Sequence, residues 1–146
     1  RPLVAEQPAI PAWHSALALC LAHEVAAGAE EDAGAELERH LRTALEHSSE
    51  DFTWLASHVM AARAAATGRV SRDILDELAV RLAPHAELVC WQGACSYGPV
   101  AVPLAMLAAA RGDAEAPALA ARARELCASL GAPVFARELA AWDALT

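Results

Sequence analysis

The chain has 146 residues, a net charge of −8 and a hydrophobic content of 56%, much of it alanine. One domain of that length can bury a real core, and a chain with no lysine holds neither a P-loop lysine nor a Schiff-base amine. The acidic balance argues against a nucleic-acid surface, which needs basic groups to displace counterions, and gives no reason to expect an anionic membrane as partner.

Residues 1–11, with Pro2 and Pro8, read as an extended lead-in to a single domain over 12–146. Over 12–27 the set Trp13, Leu17, Cys20, Leu21 and Val25 recurs at three- and four-residue steps, one face of a helix that Gly28 ends. A second helix over 30–47 turns Leu37, Leu41, Ala44 and Leu45 inward, and its acidic start (Glu30, Glu31, Asp32) suits the helix dipole. Ser48 or Ser49 is expected to cap a third helix carrying Trp54, Leu55, Val59 and Ala62 and ending at Gly68. Ser71 then caps a fourth, with Ile74, Leu75, Leu78 and Leu82, stopped by Pro84.

Residues 84–98 form an apolar, non-helical connector that holds Cys90, Trp91, Gln92, Gly93, Cys95 and Tyr97. A fifth helix over 99–111 stops at Gly112. Asp113 is placed to start a sixth, with Leu119, Ala123, Leu126 and Leu130 on its face. A seventh over 134–145 presents Phe135, Leu139 and Trp142. Alanine favours helix and strand-forming residues are sparse, so the composition predicts an all-α fold.

Three stretches share one plan: Trp13–Gly28–His47, Trp54–Gly68–Pro84 and Val100–Gly112–Pro133 each read as helix, glycine turn, helix. The glycines fall 40 and 44 residues apart, a spacing expected of an α-solenoid whose last helix covers the end of the stack. The matching stretches are Tyr97-Gly98-Pro99-Val100, Leu104, Leu107-Ala108-Ala109 and Arg111-Gly112-Asp113, then Ala120, Ala123, Leu126 and Leu130-Gly131-Ala132-Pro133. With Trp54-Leu55 and Leu82-Ala83-Pro84-His85 before them, the chain resembles tetratricopeptide-like arrays. In particular it resembles the C-terminal helical-repeat arm of large bacterial regulators that join an ATPase module to a DNA-binding or nucleotide-cyclase domain.

That resemblance implies a tetratricopeptide-like α-α superhelix of about three helix pairs plus a C-terminal capping helix. It also implies a non-enzymatic protein-interaction or signal-sensing domain of a larger, transcriptional regulator. The partner would be a protein or peptide, including other domains of the same parent chain. Any ATPase, cyclase or DNA-binding activity would lie outside these residues. The expected setting is cytoplasmic, with no cofactor. The chain begins at Arg1 and reads as a piece or a processed product, and an exposed apolar end of the stack admits a homodimer.

The longest apolar run, 97–110, is too short to span a bilayer and is broken by prolines. Cys20, Cys90, Cys95 and Cys127 could form two disulfides, but their scatter through apolar positions fits reduced, buried thiols better. Cys90 and Cys95, with His85, sit at the edge of zinc-knuckle spacing without a second ligand pair, so no metal site is expected. The candidate partner contacts are Trp54, His58, Trp91, Gln92 and Tyr97. The alternative is a small helical ligand-binding or enzymatic domain that uses Cys90, Cys95 and His58.

Overall fold

A computed structural model describes residues 2–143 except 29, 30, 49, 69 and 94. Helices α1 (Pro2–Glu6), α2 (Pro11–Ala26), α3 (Glu31–Glu46), α4 (Trp54–Gly68) and α5 (Arg72–Leu82) come first. A 3-10 turn (Ala83–His85) and an antiparallel hairpin of β1 (Val89–Gln92) and β2 (Cys95–Pro99) follow. Helices α6 (Ala101–Arg111), α7 (Ala116–Ser129) and α8 (Pro133–Asp143) complete the chain.

The molecule is built around α4. Every residue from Ala56 to Ala66 is buried, as a helix apolar on all sides must be. Its many alanines keep it narrow, and α2, α3, α5, α6 and both strands all touch it. On the α2 side, Ser15 and Ser57 hydroxyls share a hydrogen bond of 2.9 Å, which satisfies two buried polar groups at once. Gly68 leaves room for α3: a Cβ there would collide with Leu37 Cδ2. Gly68 is therefore a packing glycine as well as the last residue of α4. Gly28 and Gly112 instead end their helices with positive φ, so the three glycines of the repeat plan are not equivalent.

The first helices of the three pairs, α2, α4 and α6, contact one another in sequence. Helix α3 touches α2 and α4, α5 touches α4 and α6, and α8 lies on α6 and α7. The expected inner faces of α3 (Leu37, Leu41, Ala44, Leu45) and α5 (Ile74, Leu75, Leu78, Leu82) are buried, as are Leu139 and Trp142 of α8. No helix among the described residues is long and apolar enough to cross a membrane.

Several expectations are corrected. The lead-in is not extended throughout: Pro2–Glu6 is a short helix, its proline in the first turn where the missing N–H costs nothing. The connector is non-helical beyond the 3-10 turn, as expected, and takes the form of a β-hairpin with a register irregularity between Cys90 and Trp91. On α2, Trp13 is 37% exposed and Cys20 is exposed, while His14, Ser15, Ala18, Leu21 and Ala22 are buried. Small residues together with His14 and Leu21 mark the buried face of α2, and Trp13 does not. On α7, Leu119 and Leu130 are exposed and Ala123 and Cys127 are buried. The four cysteines are free, but only Cys90 and Cys127 are buried. The Ser71 side chain makes no cap bond; Glu38 of α3 accepts the Ser71 backbone N–H at 2.7 Å instead. The acidic start at Glu30 and the cap option at Ser49 lie outside the described residues.

Candidate functional site

A groove of about 340 Å³ opens where the chain enters α4, lined by Glu50, Asp51, Phe52, Trp54, Leu55 and His85. Its entry is fixed by an Asx turn. Asp51 Oδ1 accepts the Thr53 backbone N–H at 2.8 Å and the Thr53 hydroxyl at 2.7 Å, and the Trp54 N–H donates to the Asp51 carbonyl at 3.0 Å. Phe52 is left 85% exposed on this turn.

The wall of the groove is an ordered aromatic cluster. Trp54 stacks on His58 with centroids 4.1 Å apart and meets His85 edge-on at 5.1 Å. Such contacts contribute about 0.5–1.5 kcal/mol each beyond area burial. His58 is buried one turn along α4, and its Nδ1–H donates to the Trp54 carbonyl at 2.7 Å. That bond assigns the tautomer: Nε2 carries the lone pair and accepts from Arg81 Nη1 at 3.2 Å. Arg81 is held in turn by the Leu45 carbonyl at 3.2 Å and Glu77 at 2.5 Å. Of the sequence candidates, Trp54 therefore lines a groove, whereas His58 stands behind it as a support and does not reach into it.

The other candidates lie on the hairpin. Trp91 is 65% exposed, Gln92 is partly buried, and Tyr97 is half-buried. Among the described residues, no ring contact joins Trp91 to Trp54. Tyr97 contributes its backbone: its carbonyl accepts Arg63 Nη2 at 2.9 Å. Arg63 also donates from Nε to Glu138 Oε1 at 2.5 Å and from Nη2 to Glu138 Oε2 at 3.2 Å, with the Phe135 ring 6.0 Å away. One buried guanidinium in α4 thus ties the hairpin to α8. The sequence reading passed over it, although Arg63 is the single charge within the apolar run of α4.

The thiols do not assemble with His58. Cys90 faces inward on β1 and Cys95 outward on β2. Burial pushes the Cys90 thiol up to about 11, away from the thiolate that nucleophilic or metal chemistry needs. Cys127 is raised as well, by burial and then by the Glu138 carboxylate. No group of three or more potential metal ligands occurs among the described residues.

A second buried histidine cluster joins α2, α3 and the lead-in. His14 Nε2–H donates to the Pro8 carbonyl at 2.9 Å, and the two Nδ1 atoms of His14 and His40 lie 2.8 Å apart. One proton must sit between them, so His40 donates and His14 accepts. His40 Nε2, the nitrogen that would take a second proton, lies 3.6 Å from Glu36 Oε1. Burial, then His14 and Arg39, lower the His40 pKa from its ordinary 6.5 against the pull of Glu36. Burial, then Arg81, lower that of His58 against the Trp54 carbonyl.

Both folded values lie below the unfolded one, so the unfolded chain binds more protons and acid destabilises the fold. The melting temperature is expected to be steady above pH 6.5 and to fall as pH drops from 6.5 through the folded values. His40→Asn and His58→Gln variants should each flatten that slope. A melting temperature that stays level or rises from pH 7.5 to 5 would contradict this proton assignment.

Compared with known proteins, the chain matches no family model, no curated protein and no solved structure.

Proposed function

We propose that this chain is a non-enzymatic, tetratricopeptide-like helical-repeat domain that binds a protein segment. In this reading it serves as the interaction or signal-sensing arm of a larger bacterial regulator, most simply a transcriptional one. The observation that carries it is the groove at the head of α4. An exposed Phe52 and a half-buried Trp54, the latter immobilised by His58 and His85, give the groove aromatic surface, with the Trp54 ring set before contact. Preorganised aromatic surface is what interface anchors use, because little side-chain entropy remains to be lost on binding.

The order of helix contacts supports the repeat reading. Each pair's first helix packs on the next pair's first helix, with α3 and α5 bridging successive pairs. The hairpin with exposed Trp91 offers a second surface on the same body. The thiol and histidine geometry favours no enzymatic reading, since the Cys90 thiol is buried and both nitrogens of His58 are occupied.

The arm reading is tested by the size of the native polypeptide, on an immunoblot of the source cells with an antibody to this domain. A band several times larger than 15.3 kDa is expected. A band near 15.3 kDa would refute the arm and leave a free-standing protein.

A further inference from the structure

We propose that the groove at the head of α4 receives a cationic side chain, arginine or lysine, of the partner segment. The inference rests on the protein-binding reading above and names the chemistry of the partner. Three observations combine. The groove presents aromatic surface, from Phe52 and Trp54, to whatever enters it. It carries two carboxylates, Glu50 and Asp51, on adjacent residues, and Asp51 is held in a fixed orientation by Thr53. Among the described residues, no arginine lines it.

The guanidinium nearest in the network, Arg81, is committed to Glu77, the Leu45 carbonyl and His58. The exposed Glu50 carboxylate therefore places negative charge beside aromatic surface, on a chain whose net charge is −8. An ammonium or guanidinium placed there gains a ring quadrupole and a carboxylate together. An acidic segment would gain neither and would meet like charge. Leu55 and the exposed Phe52 ring also suit the aliphatic stem of a long basic side chain, or an apolar neighbour along the peptide.

The test uses the whole 146-residue protein and two labelled peptides, Gly-Ser-Arg-Leu-Arg-Leu-Arg-Ser-Gly and its counterpart with glutamate at each arginine. Binding is read by fluorescence anisotropy at low and high salt, and the site is located by NMR of the four tryptophan indole N–H signals. The arginine peptide is expected to bind about tenfold more tightly than the glutamate peptide, to move the Trp54 signal and to weaken with salt. Glu50→Arg and Phe52→Ala, both at exposed positions, should each weaken it by about threefold to fivefold without lowering the melting temperature.

Equal binding of the two peptides would overturn the proposal. So would a Trp54 signal unmoved at millimolar arginine peptide, or a shift confined to Trp13, Trp91 or Trp142. If the arginine peptide fails while position 52 still contacts a partner in cells, the cationic inference falls and the protein-binding reading stands.

Discussion

Replacing Arg63 with alanine is expected to lower the unfolding free energy by about 3 kcal/mol, the range for removing one member of a buried ion pair. The loss has two parts. The Tyr97 carbonyl loses its donor, and the Glu138 carboxylate keeps its charge without a partner. Glu138 is about a third exposed, so water can recover some of that cost, which places the effect at the low end of the range. Lysine should not rescue it, because one ammonium cannot reproduce the separate Nε and Nη2 bonds. An apolar pair, Arg63→Met with Glu138→Leu, should recover much of the loss, since no buried charge is then stranded. Urea unfolding followed by circular dichroism gives the free energies. A loss below about 1 kcal/mol for Arg63→Ala would mean that the hairpin and α8 hold their places without the arginine.

Gly98→Ala should be nearly as damaging, at about 2–4 kcal/mol, for a steric reason. Gly98 has φ +79°, a backbone region that L side chains rarely adopt, and an added Cβ would stand 2.6 Å from the Phe135 ring. The hairpin backbone is thus pressed against an aromatic side chain of α8, in the same junction that Arg63 ties together. Adding Phe135→Leu should return the clash component and leave the φ penalty, so the two substitutions should couple by about 1 kcal/mol in a double-mutant cycle. Strict additivity would show that Phe135 is not what excludes a side chain at position 98.

How much of this was legible beforehand depends on the kind of residue involved. Helices α3 and α5 carry leucines at helical spacing against charged faces, and their buried sides follow from that pattern. Helices α2 and α4 do not, because they are apolar nearly all round. From Ala56 to Ala66 α4 has no exposed face at all, and on α2 the buried face is chosen by fit, where alanine and serine allow a closer approach than Trp13. The hairpin was hidden because its two strands, at four and five residues, are too short to show alternation, and glycines interrupt the pattern.

The site was partly legible. Trp54 stood out as a large aromatic, but Phe52 did not, and the helix expected from a cap at Ser48 or Ser49 in fact begins at Trp54, which leaves Glu50 and Asp51 in the turn before it. His85 was weighed with Cys90 and Cys95, whereas it packs on Trp54. The Arg63–Glu138 pair joins residues 75 apart, and only the fold brings them together.

The central claim is that the head of α4 holds a protein segment, and photo-cross-linking in cells that make the native protein tests it most directly. A benzophenone amino acid would replace Phe52 in the groove and, separately, Val80, an exposed position on α5, with cross-linked peptides mapped by mass spectrometry. The account predicts one defined partner segment captured from position 52, within the parent chain or a second protein, and absent from position 80. No cross-link above the position-80 background would contradict it.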